Sequence, residues 1–262
     1  MKLSFEGKTV LITGGTAGIG LATALAFAER GAQCWLTYRW GSADEASLAE
    51  QFAAVGAPAP RLVQADVGSE EDLAALMAEM KEATDRVHIF ISNASGALRV
   101  QSLDDYTEKA LLKSMHYSTW PTVSYPKAIH ATFGSWPRYI VAMSSTGPDH
   151  YAHGYDFVAS SKAVLETMCR YLTWHLREED VRVNVVRSRA VKTDAFMATF
   201  GAELEEFAAG YVGPRHWVQP EEVAGTAVAL CSGLLDAVKG QVINVDRGTT
   251  FADSVGRMYI ER

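Results

Sequence analysis

Residues 8–38 constrain the fold more than any other stretch of the chain. Lys8 to Thr13 is a short, apolar, β-branched run of the kind that forms a buried parallel strand. It passes directly into Thr13-Gly14-Gly15-Thr16-Ala17-Gly18-Ile19-Gly20 and an alanine-rich helical stretch from Leu21 to Arg30. Gly31 stops that helix, and Cys34 to Tyr38 makes a second strand. Glycines in such a turn let the backbone crowd a pyrophosphate, and the helix behind it offers free amides and the positive end of its dipole. A lone glycine motif says little, but in a strand–turn–helix–strand setting it points to a dinucleotide.

The end of the second strand bears on which dinucleotide. Sites that select NAD usually place an Asp or Glu there to accept bonds from the ribose 2′-hydroxyl. Here the sequence runs Thr37-Tyr38-Arg39-Trp40, with no carboxylate until Asp44. Arg39 is placed to pair with a 2′-phosphate, whose geometry a guanidinium matches. NADPH is therefore expected and NADH disfavoured, unless Arg39 is simply a surface arginine.

The remainder alternates strand and helix. Strands are expected at Leu62–Val67, Val87–Ser92, Tyr139–Ser144, Val181–Arg187 and Gln241–Val245. Helices are expected at Gly41–Val55, Glu71–Ala83, Asp104–Ala131 (kinked by Pro121 and Pro126), Ala159–Arg177 and Glu221–Ser232. This pattern implies α/β architecture: a single doubly wound parallel sheet with helices on both faces, in one domain over 1–262. The segment 190–217 reads as an irregular helical excursion and 249–262 as a tail.

A net charge of -7 gives no electrostatic support to nucleic-acid binding. No apolar run reaches membrane-spanning length, and the first residues lack a signal-type apolar region. Cys34, Cys169 and Cys231 form neither a disulfide framework nor a zinc spacing, as expected in a reducing cytoplasm. His150 and His153 mimic a short metal pair without the other ligands it would need, so no metal is expected.

Tyr155-Asp-Phe-Val-Ala-Ser-Ser-Lys162 places a phenol and an ammonium seven positions apart where the chain turns helical. On a helix that spacing puts both on one face, two turns apart. The ammonium would hold a cofactor and lower the phenol's pKa, and the phenol would hydrogen-bond to developing oxyanion charge. By itself the pair is equally compatible with a packed tyrosine and a solvated lysine.

Taken with Thr13-Gly14-x-x-x-Gly18-x-Gly20, Asp66, Asn93-Ala94, Ser144-Ser145, Lys162, Arg182-Val183-Asn184 and Thr193, the chain resembles a short-chain dehydrogenase/reductase throughout its length. The family's ordinary Tyr-x-x-x-Lys is absent, because Val158 occupies the position four before Lys162. The longer spacing resembles the enoyl-acyl-carrier-protein reductase branch. So do Asn93-Ala94-Ser95-Gly96-x-Leu98-Arg99, Lys162-Ala163-x-Leu165-Glu166, Arg170-Tyr171-Leu172 and Thr193-Asp194-Ala195. The resemblance implies a Rossmann fold, in which Gly14, Thr16, Ala17, Gly18, Ile19 and Gly20 line the pyrophosphate. Asp66 and Val67 would meet the adenine, and Asn93, Ala94 and Ser95 the adenosine and its ribose. Lys162 would hold the nicotinamide ribose, with Val191 and Thr193 orienting the carboxamide and phosphate. Tyr155 would contact a substrate carbonyl, and Ser145, ten residues earlier, stands where the branch has a hydroxyl or phenol near the substrate. Tyr151 matches another tyrosine of the similar enzymes, facing substrate or merely packing.

The implied activity is NADPH-dependent reduction of the C=C bond of an enoyl thioester or enone, covered by the 190–217 segment. The acceptor would be a small molecule or an acyl group on a carrier protein, and the assembly a homotetramer or homodimer. Reduction of a biosynthetic ketone is the alternative. A non-catalytic dinucleotide sensor is a third reading, prompted by Val158 and by His116 near the family's usual asparagine. Arg187 and Arg189 replace small residues after the sixth strand. They would either reshape the cofactor loop, meet an acidic substrate or lie solvated in a turn.

Overall fold

The computed structural model describes residues 3–39, 44–96, 98–189, 191, 193, 196 and 217–251. Seven parallel strands form one sheet in the order β3-β2-β1-β4-β5-β6-β7. They are β1 Thr9–Thr13, β2 Gln33–Tyr38, β3 Arg61–Gln64, β4 Ile89–Ser92, β5 Tyr139–Ser145, β6 Arg182–Ser188 and β7 Val242–Val245. Helices α1 Gly18–Ala28, α2 Glu45–Ala54, α3 Glu70–Ala83, α4 Glu108–Ser118, α5 Pro121–Phe133, α6 Asp156–His175 and α7 Pro220–Leu230 connect them.

The strands read as unbroken apolar runs because both faces of the sheet are covered. Val10, Ile12, Cys34, Leu36, Ile89, Ile91 and Val141 pack with Phe27 of α1, Phe52 of α2 and Ala227 of α7. Their neighbours Leu11, Trp35, Phe90, Ile140 and Ala142 point the other way, against Leu76 of α3, Ile129 of α5 and Leu165 of α6. Each face buries a continuous apolar layer, which is the main source of stability. The strand order reverses between β1 and β4, where a doubly wound sheet opens a crevice at its carboxyl edge.

Several sequence expectations shift: β3 ends at Gln64 rather than Val67, and α1 opens at Gly18 rather than Leu21. The helix foreseen over 104–131 divides into a 3-10 turn at Leu103–Asp105, then α4 and α5, with the break at Thr119–Trp120. Pro121 opens α5 at a position whose amide has no intrahelical partner, and Pro126 lies inside it. Helix α6 begins at Asp156, three residues earlier than expected, so Tyr155 is its N-cap residue, with non-helical φ −103 and ψ 8. Most of the 190–217 segment and residues 252–262 of the tail lie outside the described residues.

Candidate active site

At the crevice, Gly14 (φ 63) and Gly18 (φ 54) adopt the left-handed conformation that side chains disfavour. A Cβ on Gly20 would lie 2.1 Å from the Gly14 carbonyl oxygen and 2.6 Å from Asn93 Nδ2. Thr13 and Asn93 knit the turn to the end of β4. Asn93 Nδ2 donates to the carbonyls of Thr13 (3.0 Å) and Gly14 (2.9 Å), while Asn93 N and Ala94 N donate to Thr13 Oγ1 (3.0 and 3.1 Å). The Asn93 side chain is thus a brace for the glycine turn. Ala17, the N-cap of α1, supplies no side-chain cap, and Thr16 beside it is only half-buried. Ile19 packs into the core beneath them. Across the turn, the methyl group of Thr193 would sit 3.3 Å from a Cβ on Gly18. Thr193 Oγ1 accepts the Phe196 amide (3.1 Å), and Val191 bridges to Val218.

At the other end of the crevice Arg39 pairs with Asp66 (2.8 Å) and lies over the ring of Tyr117, 4.7 Å from its centroid. Tyr117 Oη also donates to Asp66 (3.4 Å), and Asp66 caps the Gly68 amide (2.9 Å). Val67 follows Asp66 and packs on the core. Asp44, the first carboxylate after β2, is occupied at the N-cap of α2, where it accepts the Ser47 amide (3.0 Å). His116 Nε2 donates to the Gly68 carbonyl (2.9 Å), on the α4 side of that loop. Ser95 shares a 3.0 Å hydrogen bond with buried Ser118. Tyr117 and Ser118 had no sequence signal, because their partners come from the loops after β3 and β4.

On the other side of β4 from the glycine turn, at the end of β5 and the start of α6, lie Ser145, Tyr155 and Lys162. The ring of Tyr155 packs over Gly147, where a Cβ would meet it at 2.9 Å, and its hydroxyl shares a hydrogen bond with Ser145. Burial raises the phenol's pKa, with Ser145 opposing part of the rise. The sequence pointed to a phenol pushed down by Lys162; instead desolvation prevails and keeps it protonated, ready to donate. Lys162 is buried, and its Nζ donates to the Met143 carbonyl (2.8 Å). Burial lowers its pKa to about 8, with the charge of Glu166 pulling the other way. Val158 is core, at 3% exposure. Tyr151 is not gathered in: it is 84% exposed, its hydroxyl 3.3 Å from His153 Nδ1.

The two arginines part company. Arg187 is not a solvated turn residue. It ends β6 buried, held by Glu166 and by Asp149. Arg189 is exposed and donates to the Thr249 carbonyl (3.0 Å).

The family model described as Enoyl-(Acyl carrier protein) reductase matches residues 14–250, which takes in every residue above except Thr13. The chain is a short-chain dehydrogenase/reductase. It is 30% identical to versicolorin reductase 1 of Aspergillus parasiticus, over 93% of this chain and 96% of that protein. It is 26% identical to the NADH-dependent enoyl-[acyl-carrier-protein] reductase of Aquifex aeolicus, over 96% and 94%. A solved 7α-hydroxysteroid dehydrogenase, complexed with NADH and 7-oxoglycochenodeoxycholic acid, superposes with a TM-score of 0.83. It is 25% identical, over 94% of this chain and 96% of that one.

The short-chain reductase assignment makes this an NAD(P)H-dependent oxidoreductase and displaces the non-catalytic sensor reading. The residues fit the cofactor. Gly20 leaves no room for a side chain, Gly14 and Gly18 hold a backbone conformation that side chains disfavour, and α1 presents an uncapped N-terminus above them. Among the described residues no cluster of His, Cys, Asp or Glu is arranged for a metal, and no helix is long and apolar enough to cross a membrane.

Proposed function

We propose that this chain is an NADPH-dependent reductase of the C=C bond of an α,β-unsaturated carbonyl compound, an enoyl thioester or related enone. The observation that carries the reading is the Tyr155–Ser145–Lys162 cluster, with Val158 filling the family's usual tyrosine position as core. The enoyl-reductase family match supports it.

When bound, the cofactor would supply a hydride to the β-carbon, and a proton taken from solvent at the α-carbon would complete the reduction. Tyr155, protonated in its buried setting, donates a hydrogen bond to the carbonyl oxygen as it gains enolate charge. Ser145 fixes the direction of that hydroxyl. Lys162 holds the cofactor's ribose and adds positive charge beneath the site. Arg39 provides the cation for a 2′-phosphate, for which Asp66 is its present partner. Favouring NADPH therefore requires the phosphate to displace that carboxylate from Arg39 or to share the guanidinium with it. Residues 190–217 would cover the substrate, which is a free small molecule or an acyl group on a carrier protein.

A second reading, ketone reduction on a biosynthetic intermediate, is favoured by the Ser145–Tyr155 hydrogen bond, since two hydroxyls can polarise one ketone oxygen. Cofactor oxidation measured side by side on crotonyl-type thioesters and on ketones, with NADPH and NADH, separates the two. The expected result is NADPH turnover on the thioester, falling about 100-fold or more in Tyr155→Phe. Turnover confined to ketones replaces the first reading by the second. Unchanged turnover in Tyr155→Phe removes the assigned role from either.

A further inference from the structure

We propose that Glu166, gripped by Ser144 and Arg187, is a positioning residue for Lys162 that holds the lysine's charge at the cofactor end of β5. The inference rests on the reductase reading of Tyr155 and Lys162.

Three consecutive β5 residues carry the arrangement. The Met143 carbonyl accepts from Lys162 Nζ (2.8 Å), Ser144 Oγ donates to Glu166 Oε1 (2.6 Å), and Ser145 holds the hydroxyl of Tyr155. Glu166 stands one helical turn beyond Lys162 on α6 and is 4% exposed. Arg187, the cross-strand partner of Ser144, offsets the burial of that carboxylate. Its Nε donates to Glu166 Oε1 (2.9 Å) and its second nitrogen to Oε2, a two-pronged grip that a lysine cannot make. Asp149 then balances Arg187 from the segment after β5. Arg187, Glu166 and Asp149 line a recess of about 390 Å³ between α6 and β7, so the pair stands between solvent and the buried lysine.

The charges around Lys162 are few. On its own helix they are Glu166, Arg170 and the Cys169 thiol, which burial pushes up to about 12 and keeps neutral. Tyr155 precedes the helix, Arg187 faces it from β6, and Asp149 lies beyond. From α4, His116 and Tyr117 turn away to Gly68 and Asp66, and from α5 Tyr125 is buried against Phe90. Glu166 is the charge that opposes the burial of Lys162 and raises its proton affinity. An ion pair serving stability alone would not need its anion one turn from the reducing lysine, tied to the strand that carries Ser145.

Competitive acetylation with trace acetic anhydride, read peptide by peptide by mass spectrometry, titrates Lys162 with neither cofactor nor substrate present. Wild type is expected to titrate near pH 8. Glu166→Gln should lower that midpoint by about one pH unit, a tenfold loss of proton affinity, and Glu166→Asp should restore most of it. If Glu166→Gln does not fold, the Glu166→Gln/Arg187→Met double variant removes both members of the ion pair and should show a smaller displacement in the same direction. A wild-type midpoint at the ordinary lysine value, or an unshifted midpoint in a folded variant lacking the carboxylate, overturns the proposal. Loss of turnover on every substrate, with the titration shifting as stated, overturns only the reductase reading.

Discussion

At the scale of single residues, two buried groups carry opposite costs. Tyr125 is fully buried and stacked on Phe90 at 5.3 Å, yet its hydroxyl has no hydrogen-bond partner among the described residues. An orphaned hydroxyl costs about 1–3 kcal/mol. Tyr125→Phe keeps the stack and should raise the unfolding free energy by about 1 kcal/mol in urea titration; a loss of stability would show that the hydroxyl is satisfied. Lys162 carries its cost for function. Its charge is lost as pH rises through about 8, so turnover should decline on an alkaline limb there. Stability moves the other way. Above pH 8, and up to the ordinary value of 10.5, the unfolded chain holds a proton that the native state has shed, so unfolding becomes harder as pH rises. The stability of wild type relative to Lys162→Met should therefore increase across that window, by up to about 3 kcal/mol. A flat difference would mean that the lysine is not desolvated.

At the scale of elements, the glycine turn between β1 and α1 was legible because its requirement is steric and local. Gly20 shows how strict it is: a methyl group there meets backbone, which cannot swing aside as a side chain would. Gly20→Ala should cost about 2–4 kcal/mol in thermal or chemical unfolding and weaken NADPH binding at least about tenfold by fluorescence titration. Full binding and unchanged stability would mean that the turn is looser than described. The start of α6 was less legible. Asp156-Phe157-Val158 reads ambiguously in one dimension, and the helix begins there because Phe157 and Val158 bury against the body of the protein. Ser114 Oγ and Thr119 Oγ1 pin it, donating to the carbonyls of Phe157 (3.0 Å) and Ser161 (2.7 Å). Even with that earlier start Tyr155 stops at the N-cap, so its seven-residue separation from Lys162 does not run along two turns of one helix face.

At the scale of the whole molecule, the outer surface of α4 to α6 is unusually apolar. Leu112, Trp120, Tyr171 and Trp174 are 55%, 44%, 63% and 67% exposed, and Tyr171 and Trp174 lie three apart on one face of α6 with Val164 a further two turns back. Surfaces of this kind are commonly covered by another protein surface. Light scattering coupled to size exclusion should find a homodimer or homotetramer, and Tyr171→Glu/Trp174→Glu should shift it to smaller species. A monomeric wild type would leave that surface without the expected partner.

The sequence by itself determined the strand–helix alternation, the glycine cradle, Arg39, and the Tyr155–Lys162 pair, since each depends on local sterics, periodicity or short spacing. It also carried the resemblance to the short-chain reductases. What only the tertiary structure decided are the pairings between distant elements. Asn93 braces the glycine turn across 80 residues, Asp66 takes up Arg39, and Arg187 reaches back 21 residues to Glu166. The same packing left Tyr151 outside and raised the phenol of Tyr155 rather than lowering it. A side chain's partner and its solvation are properties of the assembled core, and neither is written in the spacing of residues along the chain.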